Sequence, residues 1–175
     1  MSDDPVETVW QGRFITAKRQ GKWEYVARAR NIQAAVIVAI DDDDHVLLVE
    51  QYRVPIGRRC LELPAGLVGD ETEGEDVLDS AGRELEEETG YRADRVESLG
   101  EFYSSPGLAS EGFTLVRATG LTRIGDGGGT EDEQIVVHRV ALAALPAFVA
   151  AKRAEGLAID VKMLLLISGA LLGRG

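Results

Sequence analysis

The sequence predicts an α/β (α+β) fold in which a mixed β-sheet is sandwiched between helices, preceded by an N-terminal strand region. Runs of β-branched and aromatic residues come first along the chain. An acidic segment with helical spacing lies in the middle, and two further helical segments come last. Elements in this order pack as layers with helices on both faces of the sheet, which is an α/β/α arrangement.

The length favours one domain that comprises residues 1–175. A chain of this size buries roughly 70% of its unfolded surface on folding, so it needs no disulfide or structural metal for stability. Within this domain we expect residues 1–32 to form the N-terminal strand region and residues 33–175 to form the main core.

Alternation of apolar and polar residues predicts the individual strands. The first 30 residues alternate loosely and carry aromatic side chains, which favours strands or a hairpin. Ala34–Ile40 and His45–Glu50 are apolar, β-branched runs separated by four aspartates, which predicts a β-hairpin with an acidic turn. Further strands are predicted near residues 61–63, 96–103, 113–118 and 134–140, and closing helices near residues 142–154 and 160–172.

The segment Glu75–Thr89 is the strongest predicted helix. Its apolar side chains recur at helical spacing and form one stripe, which consists of Val77, Leu78, Ala81 and Leu85. Gly90 follows the last helical residue, where glycine commonly ends a helix. Thr72 and Glu75 have the spacing of a capping box that would begin it.

Charge and composition exclude several classes of function. The chain has 19 basic and 30 acidic residues, a net charge of −11, and such a surface repels a nucleic-acid backbone. The single cysteine, Cys60, cannot form an internal disulfide, which suits a reducing compartment. No signal-peptide pattern opens the chain, and the longest apolar run near the end, Met163–Ile167, is too short to span a bilayer. We therefore expect a cytoplasmic protein without nucleic-acid or membrane partners.

The acidic helix carries carboxylates on one face. At 100° per residue, Glu84, Glu87 and Glu88 lie within an arc of about 100°, whereas Glu86 points nearly the opposite way. Like-charged neighbours at this spacing cost roughly 0.2–0.5 kcal/mol per pair. This cost is small, so the geometry alone fits a solvated acidic face as well as a metal site.

The spacing of this segment matches the pattern G-x5-E-x7-R-E-U-x-E-E-x-G-U, where U is a bulky apolar or aromatic residue. The matching residues are Gly69, Glu75, Arg83, Glu84, Leu85, Glu87, Glu88, Gly90 and Tyr91. The segment resembles the signature of Nudix hydrolases, and the resemblance extends over roughly residues 20–172. It implies the Nudix fold and a magnesium-dependent hydrolase of diphosphate bonds.

The resemblance also implies how the site is built. The metal ligands would be Glu84, Glu88, Glu87 and the backbone carbonyl of Ala65. They would hold roughly two or three ions of Mg²⁺, with Mn²⁺ as the alternative metal. Glu75 and Arg83 would orient the loop and helix through an ion pair, and Gly69 and Gly90 would be structural. Gly66, which directly follows Ala65, is an alternative to Gly69 as the structural glycine of the motif.

Flanking segments resemble the ADP-ribose pyrophosphatase branch of this family. Pro106, Gly107 and Leu108 begin 16 residues after Gly90 of the motif, a spacing that resembles this branch. An ordinary turn explains the three residues as well. Arg53 and Arg28 are candidates for binding the diphosphate, because a guanidinium bonds two oxygens at once. Trp23 is a candidate for stacking on adenine, with sheet packing as the equal alternative.

A glycine-rich stretch, residues 125–133, predicts a flexible loop that closes over the substrate. Its resemblance to the family implies Glu131 as the general base and Glu133 as a further metal ligand, with Glu84 or Glu133 as alternative bases. A solvated acidic loop is the other interpretation. The same stretch also resembles the branch that cleaves GDP-mannose.

Together these features predict magnesium-dependent hydrolysis of a nucleoside diphosphate sugar, foremost ADP-ribose to AMP and ribose 5-phosphate. GDP-mannose or another nucleotide sugar is the alternative substrate. A catalytically silent, nucleotide-sensing Nudix domain is the alternative from another class. Relatives in this branch form homodimers, so we expect a homodimer in which Trp23 and Arg28 serve the partner's site.

Overall fold

The computed structural model describes residues 4–30, 32–69, 74–129 and 133–173. In these ranges the strands are β1 (Val6–Gln11), β2 (Ile15–Gln20), β3 (Trp23–Arg28), β4 (Gln33–Ala39), β5 (His45–Arg53), β6 (Arg58–Glu62), β7 (Ala65–Val68), β8 (Tyr91–Tyr103), β9 (Gly112–Arg123), β10 (Val136–Ala141) and β11 (Ala158–Ile159). The helices are α1 (Val77–Thr89), α2 (Leu145–Ala154) and α3 (Leu164–Leu171). None of the helices in the described ranges is both long and apolar enough to cross a membrane.

The N-terminal strand region forms a separate antiparallel sheet with the order β1-β2-β3. It joins the rest of the chain through β3, because the amide of Val26 donates to the carbonyl of Leu108 and the amide of Ser110 donates to the carbonyl of Val26, both at 2.9 Å. The sheet leaves large apolar side chains exposed, among them Trp10 and Trp23. The predicted strands of this region are confirmed.

Two mixed four-stranded sheets form the main core, with the orders β10-β5-β6-β11 and β7-β4-β9-β8. Successive side chains of β4 point to opposite faces, as in any strand. Ala35 and Ile37 pack in the cluster that contains α1, whereas Val36 and Val38 pack in the cluster that contains α2 and α3. Helices therefore cover both faces of the strands, which confirms the expected fold class.

The predicted hairpin between residues 34–40 and 45–50 is wrong. The acidic turn is present, and the amide of Asp44 donates to the carbonyl of Asp41 at 3.1 Å. Beyond it, only Ile40 and Val46 bridge the two strands. β4 then pairs with β7 and β9, while β5 pairs with β6 and β10. Both strands are buried on both faces, and such strands take neighbours from anywhere in the chain, so adjacency in sequence did not predict their partners.

The acidic helix α1 begins two residues later than predicted. Its N-cap is Asp76, whose carboxylate accepts a hydrogen bond from the amide of Leu78 at 2.8 Å. The expected cap by Thr72 and Glu75 is therefore wrong; Thr72 lies outside the described residues, and Glu75 binds Arg83 instead. Gly90 ends the helix in the left-handed conformation with φ 74°, as predicted.

Candidate active site

A cleft of about 770 Å³ opens between α1, β7 and the edges of the neighbouring strands. Its acidic lining consists of Glu62, Glu84, Glu87, Glu88, Glu111, Glu133 and Asp160. Its basic lining consists of Arg28, Arg53, Arg83 and Lys162. Carboxylates outnumber basic groups in this lining, so a phosphorylated ligand needs additional positive charge to bind here.

Glu88 is buried, with 4% of its surface exposed, the same fraction as Glu62 in this cleft. Its Oε2 accepts a hydrogen bond from the amide of Ala65 at 3.0 Å. Burial, together with the charges of Glu84 and Glu133, raises the pKa of Glu88 to about 8 against the lowering effect of that amide. A cation beside this carboxylate would favour its ionised form.

Glu84 lies one helical turn before Glu88, and burial raises its pKa as well. Arg83 opposes this increase, since its Nη2 lies 3.1 Å from Oε1 of Glu84. The Glu84 carboxylate packs against Gly66, where the Cβ of any other residue would overlap it. Gly66 therefore gives Glu84 its room beside the cleft.

Gly69 has a different role from Gly66. Its backbone is left-handed, with φ 79°, and its amide forms a hydrogen bond to Glu75. Glu75 also accepts from Arg83 at 3.3 Å through both carboxylate oxygens. The ion pair expected from the motif is thus present, and Gly69 is the glycine attached to it.

Arg83 connects the acidic residues of α1 to one another. Besides Glu75 and Glu84, it donates to Glu87 at 3.2 Å. The remaining glutamate of this run, Glu86, faces away from the cleft and pairs with Arg92 at 2.7 Å. This arrangement agrees with the helical positions expected for the four glutamates.

The two arginines expected to bind substrate line the cleft, and each is paired with a carboxylate that the sequence did not reveal. Arg28 lines the cleft of its own chain, which corrects the expectation that it serves the partner's site. Arg53 donates to both oxygens of Glu62, at 2.7 and 2.8 Å. Arg28 donates to Glu111 through Nε at 2.5 Å. These pairs orient the guanidinium groups in advance of any ligand.

Four other residues that were predicted to bind substrate do not line the cleft of their own chain. Trp23 stands at the start of β3 with 57% of its surface exposed, and does not contribute to the cleft lining. Pro106, Gly107 and Leu108 belong to a turn that hydrogen-bonds to β3 rather than to the cleft wall. Geometry within one chain therefore does not support a contact between these residues and a ligand, and their role stays a prediction.

The beginning of the glycine-rich stretch is anchored rather than free. The amides of Gly128 and Gly129 donate to the carbonyls of Glu88 and Glu87, at 2.8 and 3.0 Å. Gly127 is left-handed, with φ 66°, and a Cβ there would overlap the backbone at the end of α1. The expected flexible loop is thus corrected for residues 125–129, because these glycines satisfy the last carbonyls of the helix. Glu131 lies outside the described residues, whereas Glu133 lines the cleft.

Sequence reasoning missed the residues at the far end of the cleft. Lys162 is 2.8 Å from Asp160 and lies over the ring of Phe113, 5.8 Å from its centroid. Asp160 also caps the turn by accepting from the amide of Lys162 at 2.8 Å. No local pattern signals these residues, because β9 and the turn before α3 meet only in the folded chain.

The donor set suits a hard divalent cation. Such ions prefer carboxylate and carbonyl oxygens, and the cleft offers Glu84, Glu87, Glu88 and Glu133. Within the described residues, however, no group of three His, Cys, Asp or Glu side chains is gathered closely enough to hold a metal ion. Glu84 and Glu87 are paired with Arg83 at 3.1 and 3.2 Å, so their carboxylates would have to rearrange within the cleft to bind one.

Comparisons with known proteins show which sequences and structures the chain resembles. The chain matches the NUDIX domain over residues 30–157. A methanol dehydrogenase activator from Bacillus methanolicus is 38% identical over 107 residues, which cover 61% of this chain and 56% of that protein. An ADP-ribose pyrophosphatase from Bacillus subtilis is 41% identical over 78 residues, which cover 45% of this chain and 40% of that protein.

The chain thus matches about half the length of these two relatives. The solved structure of an ADP compounds hydrolase matches more completely. It has 28% sequence identity and a TM-score of 0.69, and the match covers 98% of this chain and 94% of that one.

Proposed function

This chain belongs to the NUDIX domain family, and we propose that it hydrolyses the diphosphate bond of a nucleoside diphosphate sugar. The proposed substrate is ADP-ribose, with AMP and ribose 5-phosphate as products. The observation that carries the proposal is that Glu84 and Glu88 of α1 line one cleft with Arg28 and Arg53. Carboxylates bind divalent cations and guanidinium groups bind phosphate oxygens, and a diphosphate needs both.

Nudix hydrolases generally use divalent metal ions, and we propose Mg²⁺ here, with Mn²⁺ as a substitute. Glu84, Glu87, Glu88, Glu133 and the carbonyl of Ala65 would hold roughly two or three ions. Bound there, the cations supply Lewis-acid charge that neutralises the phosphate oxygens and lowers the pKa of water. The raised pKa values of Glu84 and Glu88 support this proposal, since burial disfavours both carboxylates and a bound cation would offset that cost.

The arginines bind and orient the diphosphate. Two N–H groups of Arg53 already bond Glu62, and a guanidinium has five such donors, so others can reach a phosphate oxygen. Arg28 is oriented by Glu111 in the same way. Substrate can then bind without a large loss of side-chain entropy, because both side chains are already ordered.

The proposed chemical step is attack of water on one phosphorus atom, with cleavage of the bond to the bridging oxygen. Glu131 accepts the proton of the attacking water, as the resemblance to the family implies, with Glu133 or Glu84 as the alternative base. A carboxylate in that role contributes typically about 10²–10⁴-fold to the rate.

The names of the relatives support ADP-ribose as the substrate, since the compared proteins include an ADP-ribose pyrophosphatase and an ADP compounds hydrolase. A homodimer in which Trp23 reaches the partner's cleft agrees with the exposure of that side chain. The homodimer and a cytoplasmic location stay predictions.

A substrate panel tests the proposal. Purified protein is incubated with ADP-ribose, GDP-mannose, other nucleotide sugars, NADH and dinucleoside polyphosphates, with and without Mg²⁺, and the products are identified by chromatography. We expect AMP and ribose 5-phosphate from ADP-ribose in the presence of Mg²⁺. Preference for GDP-mannose would overturn the substrate, whereas no turnover by folded protein with Mg²⁺ would favour a nucleotide-sensing domain.

A further inference from the structure

A second charged cluster lies beside the cleft, between β5, β6, β10 and α2. At its centre Glu50 is 8% exposed. Its carboxylate lies 2.7 Å from Arg59, 3.0 Å from His138 and 3.1 Å from Lys152. Burial opposes the ionisation of Glu50, but hydrogen bonds from these three partners outweigh it and hold its pKa at about 2. We call these four residues the Glu50 cluster.

Arg59 differs from the other partners in what else it binds. Its Nη2 donates to the backbone carbonyl of Glu50 at 2.7 Å and to the carbonyl of Gln134 at 3.2 Å. Lys152 contacts Glu155 besides Glu50, and His138 packs edge-on against Phe148. Within the described residues, Arg59 is therefore the member of the cluster that reaches the backbone before β10.

The backbone that Arg59 binds has an unusual conformation. Gln134 has φ 48°, in the left-handed region that residues other than glycine rarely adopt. Such a conformation persists where surrounding contacts determine it. On the other side, the amide of Ile135 donates to the carbonyl of Gly128 at 3.2 Å, and Gly128 is itself bonded to Glu88 at the end of α1.

Glu133 directly precedes this turn and lines the cleft. Glu84 and Glu88 line the same cleft, and the Glu133 carboxylate lies against Gly129, whose amide bonds the carbonyl of Glu87 near the end of α1. Gln134 lies between Glu133 and β10, so its backbone conformation sets the orientation of Glu133 relative to that strand. Arg59 bonds the carbonyl of Gln134 and does not belong to the cleft lining.

We infer that Arg59 is a positioning residue that holds Glu133 beside the acidic face of α1, where Glu133 binds the divalent cation. This inference rests on the proposed function, since it assigns a purpose to the geometry of Glu133. It adds a residue of β6 that does not contact substrate and that acts through the carbonyl of Gln134.

Two methionine variants separate positioning from charge balance. Arg59→Met removes one basic partner of Glu50 together with the bond to Gln134, whereas Lys152→Met removes another basic partner and leaves Gln134 untouched. The conservative variant Arg59→Lys keeps a positive charge for Glu50 but lacks the planar fork that bonds two carbonyls and a carboxylate together.

Three measurements are made on the full chain at a temperature where each variant is folded. They are amide hydrogen exchange in a peptide spanning residues 133–137 without metal, Mn²⁺ affinity by electron paramagnetic resonance without substrate, and kcat and KM for ADP-ribose. In Arg59→Met we expect faster exchange, Mn²⁺ affinity weaker by about 10–100-fold and a lower kcat with KM little changed. Arg59→Lys should recover thermal stability more than Mn²⁺ affinity, and Lys152→Met should keep wild-type exchange and Mn²⁺ affinity.

Equal exchange and equal Mn²⁺ affinity in the Arg59 and Lys152 variants would overturn the inference, because Arg59 would then only balance the charge of Glu50. Should Arg59→Met fail to fold, Arg59→Lys decides by the same two readouts. A wild-type protein that binds Mn²⁺ but hydrolyses no substrate would overturn the proposed function. The role of Arg59 would then still be tested by amide hydrogen exchange and Mn²⁺ affinity. Absence of Mn²⁺ binding by the wild type would overturn both.

Discussion

The Glu84 carboxylate on α1 packs against the backbone of Gly66 on β7, in the space that a Cβ at position 66 would occupy. The Glu84 side chain therefore lies directly against the strand backbone. Gly66 has no left-handed φ, so glycine is needed at this position for room and not for backbone freedom. This contact holds Glu84 at the cleft and predicts a sensitive position outside the acidic helix.

Gly66→Ala should displace Glu84 and lower kcat/KM for ADP-ribose on the order of 100-fold, since a shift of about 1 Å can have such an effect. Gly82→Ala is the matched control, because a Cβ at this position of α1 meets nothing within 4 Å. We expect Gly82→Ala to keep full activity and to raise the free energy of unfolding by about 0.5–1 kcal/mol. Steady-state kinetics and denaturant unfolding of both variants check this; equal activity of the two would contradict the account of Gly66.

The general base is tested by two isosteric variants. Glu131→Gln should lower kcat by roughly 10²–10⁴-fold and leave KM nearly unchanged, because the amide cannot accept a proton. Glu133→Gln should instead raise the Mg²⁺ concentration required for half-maximal rate, as expected of a metal ligand. The measurement is kcat and KM across a magnesium titration. Wild-type turnover in Glu131→Gln would move the base to Glu133 or Glu84.

Glu50 predicts how stability responds to acid. Its pKa of about 2 lies below the ordinary value of 4.5, so the stability it contributes is present above pH 4.5 and is lost as pH falls towards 2. The difference corresponds to about 3 kcal/mol. Glu50→Gln should therefore be less stable than wild type at pH 7, and the gap should narrow as pH falls from about 4.5 to 2. Urea unfolding at several pH values measures the gap; a constant gap would contradict the assignment.

The N-terminal sheet predicts a homodimer. Val9, Trp10, Phe14 and Trp23 are each more than half exposed on it, and a second copy would cover such apolar groups. Light scattering after size exclusion should give twice the chain mass of 18.9 kDa. A monomer at all concentrations would contradict the dimer.

Trp23→Ala should also raise KM for ADP-ribose by about 10-fold if the indole stacks on the base.

Features with a signal inside one segment were predictable. The helix around Ala81 and Leu85 and the outward direction of Glu86 follow from helical periodicity, and its end at Gly90 follows from the tendency of glycine to end helices. The structure has all three features. Glu84, Glu88 and Ala65 were assigned to one site by resemblance, and they line one cleft.

Features that depend on distant residues were not predictable. Arg28 and Glu111 are separated by 83 positions, and nothing near either residue identifies the other. The hairpin error has the same origin, since burial of β4 and β5 on both faces says nothing about their partners. The cap at Asp76 was missed because the spacing of Thr72 and Glu75 suggested an earlier start.

The central claim is that Glu88 binds a divalent cation on which hydrolysis depends. The most direct test compares the Mg²⁺ dependence of ADP-ribose hydrolysis in wild type, Glu88→Gln and Glu86→Gln, the last of which makes the same change on the outward face of α1. We predict that Glu88→Gln loses on the order of 100-fold or more in turnover and needs more Mg²⁺, while Glu86→Gln matches wild type. Full turnover of Glu88→Gln with unchanged magnesium dependence would contradict the account.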